Sequence, residues 1–260
     1  MSAEARKSIA QRALGLVDLT DLNDDSDEAA IDSLCARAQT EHGPVAAICI
    51  WPRLITHAKK QLVGTNIPIA TVVNFPGGEE PVEKVQADTI QAIEDGADEI
   101  DLVIPYRAML AGDLDAVKVM VSAIRAVSSG KALLKTILET GELKDAVLIR
   151  QASELAIAGG ADFIKTSTGK VAVNATLEAA EVMLQAIADS GMAVGFKPAG
   201  GIKTTEDCGA YLELADRIMG REWASSNTLR FGASSVLGDL LAALDGRDEA
   251  AAAASASEGY

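Results

Sequence analysis

The sequence predicts an α/β fold, a single (β/α)8 or TIM barrel, on three observations. Eight short apolar runs recur along the chain, amphipathic segments of helical spacing fill the gaps between them, and three of those segments stop at glycine. Composition agrees: of 260 residues 48% are hydrophobic but only 3% aromatic, so the interior is built from Ala, Val, Ile and Leu, as in parallel sheets covered on both faces. That length suits one barrel.

The elements follow in order. The amino end, MSAEARKSIAQRALG, threads charges through its apolar positions, so it reads as an extra N-terminal helix and not as a secretion signal. Strand one is LVDLT (16–20), strand two VAAICIW (45–51), strand three IPIATVVNF (67–75) and strand four EIDLVIP (99–105). ALLKTILE (132–139), DFIKTST (162–168), AVGFKPA (193–199) and LRFGASS (229–235) complete the set. Between strands, PVEKVQADTIQAIEDG sets Val82, Val85, Ile90 and Ile93 on one helical face, with Gly96 at the C-cap. KDAVLIRQASELAIAGG and LEAAEVMLQAIADSG repeat the arrangement. The barrel domain is expected over 1–245, and residues 246–260, rich in alanine, form a flexible tail that buries little and ends at Tyr260. Fully extended, that tail reaches on the order of 50 Å, enough to fold back over a barrel mouth.

Several function classes fall away. A formal charge of −15 with no lysine or arginine cluster repels nucleic acid and anionic membranes. No apolar stretch approaches the eighteen or so residues needed to span a bilayer. Cys35, Cys49 and Cys208 are odd in number and widely spaced, which suits a reduced, cytoplasmic setting. No GxGxxG follows strand one, and STGK fails as a Walker A motif because Ile164 and Val171 stand where glycine and Ser or Thr are required.

Three strand lysines, Lys135, Lys165 and Lys197, interrupt apolar runs. Side chains alternate along a strand, so Phe163, Lys165 and Ser167 share one face and Ile164 and Thr166 the other. Strand seven sends Gly195, Lys197 and Ala199 one way and Val194 and Phe196 the other; strand five opposes Lys135 to Leu134 and Leu138. The large aliphatics suit the helix layer, so the lysines point into the barrel. Strand four adds Asp101 inward, beside Glu99. One lysine could lay its stem along apolar surface and send its head to water. Three on consecutive strands near an aspartate point to a site, because buried charge is costly without a role.

A lysine amine attacks a carbonyl only when neutral, and at a reference pKa near 10.4 only about one in 2,500 is neutral at pH 7. An apolar wall and a neighbouring cation both favour the neutral form, and Lys197 beside Lys165 supplies the cation. The imine so formed is an electron sink for carbon–carbon cleavage or formation, which is aldol chemistry. Asp101, through Lys135 or a water, is the candidate proton shuttle, with Asp18 a further one. A metal-dependent aldolase would need several histidines; the chain has only His42 and His57, not spaced as ligands, so no metal and no cofactor are expected.

Strand seven is followed by GGIK (200–203) and strand eight ends in FGASS (231–235), the places where barrels commonly hold phosphate. Backbone amides there, Ser234 and Ser235 at the start of a short helix, and Gly169 and Lys170 after strand six form the candidate pocket. The same glycines and serines also serve as plain turn residues. Cys49 faces inward on strand two as small packing.

The segments DLTDLNDD, AAICIWP, NFPGG, GADEIDLVIPYRAMLAG, LLKTILETGELKD, GADFIKTSTGK, GFKPAGGIKT and RFGASS resemble, in this order, the deoxyribose-phosphate aldolase family. That resemblance implies a metal-free class I aldolase on an α/β barrel, reversibly splitting 2-deoxyribose 5-phosphate into acetaldehyde and glyceraldehyde 3-phosphate. It implies Lys165 as the Schiff-base former, Lys197 as its pKa-lowering neighbour, Asp101 with Lys135 in proton transfer, and Tyr260 as a terminal tyrosine assisting it. Phosphate would sit on Gly169, Gly200, Gly201, Gly232, Ser234 and Ser235, with Lys170 and Lys203 nearby and Asp18, Thr20 and Cys49 completing the substrate-binding set. Lys203 stands where the family often has arginine, and loses the planar fork. The expected partner is a phosphosugar, with the chain a monomer or dimer. A phosphosugar-binding barrel without catalysis, or a Schiff-base aldolase acting on keto substrates, stays open on composition and spacing.

Overall fold

The computed structural model describes residues 1–247. Eight strands form its centre: β1 (Val17–Asp21), β2 (Ala47–Ile50), β3 (Ile69–Val73), β4 (Glu99–Val103), β5 (Leu133–Ile137), β6 (Phe163–Lys165), β7 (Gly195–Lys197) and β8 (Phe231–Ala233). They pair in parallel, in the order β8, β1, β2 and so on to β7. The ring closes between β7 and β8 through bridges joining Phe196 to Leu229 and Ala199 to Gly232. The expected barrel is therefore the observed fold. From residue 248 onward the expected tail, and Tyr260 with it, lies outside the described residues.

The helices are α1 (Ala3–Ala13), α2 (Glu28–Arg37), α3 (Ile55–Gln61), α4 (Val82–Asp95), α5 (Tyr106–Leu110) and α6 (Asp115–Ser128). Then come α7 (Thr140–Leu143), α8 (Ala146–Ala158), α9 (Leu177–Ser190), α10 (Thr205–Met219) and α11 (Val236–Leu244). The extra N-terminal helix is α1, clamped by Arg12, whose guanidinium donates twice to Asp216 of α10 at 2.8 and 2.7 Å.

The α4 face differs from the sequence expectation. Its buried residues are Val85, Thr89 and Ala92, while Ile90 is 40% exposed. At roughly 100° per residue, Ile90 sits about 130° round the helix from that stripe. Bulk drew the sequence reading to isoleucine, whereas the sheet accepts the smaller threonine and alanine. The glycine stop holds: Gly96 caps α4 in the left-handed region at φ 111°.

Strand alternation sets the two layers. Ile100, Leu102, Leu134, Ile164 and Phe196 are fully buried in the main apolar core outside the ring, each contributing roughly 1.5–3 kcal/mol by burial. Inside, adjacent register places Asp101 opposite Lys135 and Lys165 opposite Lys197. Phe163 pairs with Gly195, where a Cβ would meet the Phe163 ring at 2.4 Å, so this glycine gives the inward aromatic its space. Strand β6 is shorter than the run 162–168 suggested, because the Thr168 N–H turns away to the carboxylate of Glu139 at 3.2 Å.

Candidate active site

The parallel register brings the three lysines to one carboxylate. Lys165 Nζ donates to Asp101 Oδ2 at 2.7 Å, Lys197 Nζ to the same oxygen at 2.8 Å, and Lys135 Nζ to Oδ1 at 2.9 Å. Lys165 and Lys197 reach one oxygen, so their nitrogens lie no farther apart than those two distances combined. All four side chains are buried.

Around Asp101 and the three lysines stand two further carboxylates and a guanidinium. Glu99 Oε2 accepts from Lys135 at 2.5 Å. Asp18 Oδ2 lies 2.6 Å from Lys197, an ion pair whose angle is poor for a hydrogen bond, and 3.4 Å from Lys135. Arg230, at the entry to β8, donates to Asp18 Oδ1 at 2.6 Å and to Glu99 Oε1 at 3.0 Å. Strand alternation had placed Glu99 inward without a partner. Arg230 carries the same kind of signal, since it shares a face with Gly232 two residues on.

Electrostatics separates the lysines. Burial pushes the Lys165 amine below its ordinary pKa, opposed by Asp101 and aided by the Lys197 cation. Burial also works against charge on Lys197 and Lys135, but there the carboxylates outweigh it: Asp101 and Asp18 raise Lys197, and Asp101, Glu99 and Asp18 raise Lys135 well above the usual range. On Asp101 burial is overcome by Lys135, Lys165 and Lys197, which hold its carboxyl well below the usual carboxylate range. On Asp18 burial is likewise overcome, by Lys197, Lys135 and Arg230. The amine whose proton is held less firmly than in an ordinary lysine is thus the one at the barrel mouth.

Lys165 opens into a cavity of about 300 Å³ at the carboxyl ends of the strands. Thr20 and Thr168 form part of its wall, as do Gly169 and Lys170 after β6, Gly200, Gly201 and Lys203 after β7, and Gly232, Ser234 and Ser235 after β8. Ser235 is the N-cap of α11 but makes no side-chain capping bond, which leaves its hydroxyl for a ligand beside the positive helix end. Two glycine amides are already engaged: Gly200 N–H donates to Gly232 O at 3.3 Å, and Gly232 N–H to Pro198 O at 2.9 Å. Those glycines serve by close approach instead. A Cβ on Gly232 would meet Lys197 Cε at 3.0 Å, and one on Gly200 would meet Asn174 at 2.7 Å. Lys170 Nζ donates to Leu22 O at 2.8 Å, tying the β6 loop to the β1 loop.

Asp101, Lys135 and Lys197 lie beneath the cavity wall and not on it, and Asp18 and Cys49 are off it too. Asp18 is fully buried in the ion network beneath. Cys49 is buried among Leu22, Ala70 and Val72, where burial pushes its thiol up. Tyr260 lies outside the described residues. Sequence reasoning missed Glu139, a buried residue at φ 58° whose Oε2 accepts from Thr168 Oγ1 at 2.5 Å and so pins the β6 loop. Alternation along the expected strand 132–139 puts Glu139 on the Lys135 face, whereas the observed strand already ends at Ile137. His42 and His57 pair with Asp245 and Asp32, each at 2.7 Å, away from the cavity, and among the described residues no cluster of His, Cys, Asp and Glu is arranged to hold a metal ion.

Comparison with known proteins bears on what this arrangement does. A family model described as DeoC/LacD family aldolase matches residues 12–239. The deoxyribose-phosphate aldolase of Agrobacterium fabrum is 58% identical over 254 residues, covering 97% of this chain and 98% of that one. A solved structure from Toxoplasma gondii ME49 superposes with a TM-score of 0.86 at 23% identity, over 96% of this chain and 99% of its own. The deoxyribose phosphate aldolase of Aeropyrum pernix, described as a tetramer, gives 0.72 at 22% identity, over 93% and 98%. At such identities the two structures support the fold.

Proposed function

The chain belongs to the DeoC/LacD family of aldolases, and from that premise we propose that it reversibly cleaves 2-deoxyribose 5-phosphate to acetaldehyde and glyceraldehyde 3-phosphate through an imine on Lys165. The observation that carries the reading is one buried amine, held on Asp101 beside a second cation, facing the cavity at the strand ends.

The neutral Lys165 amine adds to the C1 aldehyde of the open-chain sugar, and loss of water leaves a protonated imine. Removal of the proton from the C3 hydroxyl lets the C2–C3 bond break, its electron pair moving to C2 to form an enamine while C3 becomes the aldehyde of glyceraldehyde 3-phosphate. Protonation of C2 and addition of water then release acetaldehyde and restore the amine. A carboxylate gripped by the Lys135 and Lys197 ammonium groups is a weak base, so Asp101 orients Lys165 and relays protons, through a water, between the amine and the substrate hydroxyl. The phosphate is met by Ser234, Ser235, Gly201 and the positive end of α11, with Lys203 as a point charge at the rim.

Incubation with acetaldehyde and borohydride, followed by peptide mass mapping, tests the assignment: the reduced adduct is expected on Lys165, and an adduct on Lys135 or Lys197 instead would overturn it. Lys203→Ala is expected to raise the KM for deoxyribose 5-phosphate about tenfold, the worth of one charge-assisted phosphate contact, and to leave the KM for unphosphorylated deoxyribose unchanged. Equal effects on both substrates would remove Lys203 from the phosphate site. Absence of turnover with either would favour the non-catalytic phosphosugar-binding reading.

We place the enzyme in the cytoplasm, in keeping with three free cysteines. No helix among the described residues is long and apolar enough to cross a membrane. A monomer or dimer is proposed, in contrast to the Aeropyrum pernix tetramer, and light scattering decides between them.

A further inference from the structure

Below the cavity floor, seven charged side chains form one connected network that reaches past the groups able to touch a substrate. Four are cations: Lys135, Lys165, Lys197 and Arg230. Three are anions: Asp18, Glu99 and Asp101. Every link runs cation to anion. Arg230 binds Asp18 at 2.6 Å and Glu99 at 3.0 Å; Glu99 binds Lys135 at 2.5 Å and Asp18 lies 2.6 Å from Lys197; Asp101 then gathers all three lysines. The guanidinium is held in place from its other side by the Phe163 ring, 5.8 Å from its centre, and by an Nε–H bond to Ser226 O.

With every group charged, four positive charges face three negative ones away from water. An uncompensated buried charge is expensive, so the network is most stable with one proton fewer. Arg230 cannot supply that proton, because a guanidinium does not deprotonate in proteins. The loss therefore falls on a lysine. Among the described residues Lys135 touches three carboxylates and Lys197 two, whereas Lys165 touches Asp101 alone. Lys165 is the amine with least to hold its proton.

We propose that Arg230 and Glu99 are positioning residues for the aldol reaction that never meet the substrate: the fixed charge of Arg230 makes the buried network one proton too rich, and Glu99 limits the excess to one, so that the lysine at the cavity is the one left neutral. The proposal rests on Lys165 being the imine-forming amine. It enlarges the source of activation from one neighbouring cation to the charge balance of a whole layer. The depressed proton affinity of Lys165, set against the raised affinities of Lys135 and Lys197, runs in the direction this balance requires.

The charged and titratable groups around Lys165 come from every side: Asp101 and Glu99 on β4, Lys135 on β5, Lys197 on β7, Asp18 on β1, Cys49 on β2 and Arg230 before β8. Strand β3 contributes the apolar Ala70 and Val72. Glu139 lies in the loop above: it hydrogen-bonds Thr168 and makes no ion pair with the cations, and although the Lys165 charge acts on it, burial outweighs that and pushes its carboxyl up, toward the neutral form.

The test is the pH dependence of the rate at which acetaldehyde and cyanoborohydride modify Lys165, followed by mass in the full chain. Arg230→Gln removes a cation and is expected to move the midpoint up by about one pH unit, the order expected for one network charge that does not touch the amine, at an effective dielectric near 20. Glu99→Gln removes an anion and is expected to move it down by about as much. The double variant restores the balance and is expected to return the midpoint to within about 0.3 unit of the parent, a recovery that loss of packing would not produce. If Arg230→Gln does not fold, Glu99→Gln and the double variant still decide. Unmoved midpoints, shifts of the same sign in both single variants, or a double variant that keeps a single variant's shift would overturn the proposal. Modification of another lysine would instead defeat the Lys165 assignment, while the opposed shifts would still be read on the amine that is labelled.

Discussion

Lys197→Leu is expected to lose about 100-fold of its turnover at pH 7 and to regain about tenfold per pH unit above neutrality, until Lys165 is fully neutral. The two ammonium groups share one Asp101 oxygen, and at the effective dielectric of a protein interior a like charge some 5 Å away disfavours the second by about 3 kcal/mol, roughly two pH units. The sign follows from the network: without Lys197, three cations face three anions, so Lys165 keeps its proton to higher pH. Asp101, freed of one partner, also grips it harder. A pH–rate profile of kcat/KM checks this, and a variant profile parallel to that of the parent would show that Lys197 acts through packing. Because leucine preserves an apolar wall, the burial that depresses Lys165 survives the substitution and cannot mimic the expected shift.

Asp101→Asn is expected to separate two events that the parent couples. Imine formation should persist, since Lys165 loses the carboxylate it is paired with and is neutral more readily, while turnover of deoxyribose 5-phosphate falls by about 10²–10⁴ for want of a proton relay. Borohydride trapping set beside steady-state cleavage reads the two separately; equal losses in both would deny Asp101 the relay. Stability should fall as well. Breaking a buried ion pair from one side costs about 3–5 kcal/mol, and here three ammonium groups lose one counter-ion.

The pH dependence of that stability difference has a definite sign. The Asp101 carboxyl is held well below its unfolded value near 3.9, so its stabilisation is present above about pH 4 and is lost as pH falls toward the folded value. The urea midpoints of parent and variant should therefore stand apart at neutral pH and converge in acid. A gap that stays constant down to pH 3 would remove the ionised carboxylate as its cause.

The amino-acid sequence determined on its own the barrel, the inward aim of Lys135, Lys165, Lys197 and Asp101, and the loops after strands six, seven and eight as cavity wall. All of these follow from local rules: a period of two along a strand, aliphatics on the opposite face, glycine where a helix stops. On α4 the same rules err at Ile90, where side-chain bulk does not mean burial. The tertiary structure alone decided which charges meet. Arg230 and Asp18 are 212 positions apart and touch because β8 closes on β1. Ring closure likewise committed the Gly200 and Gly232 amides to the backbone, leaving Gly201, Ser234 and Ser235 to face the cavity. Alternation fixes the direction in which a side chain points. Its partner, and hence the proton it keeps or sheds, depends on distances across the barrel that no local spacing contains.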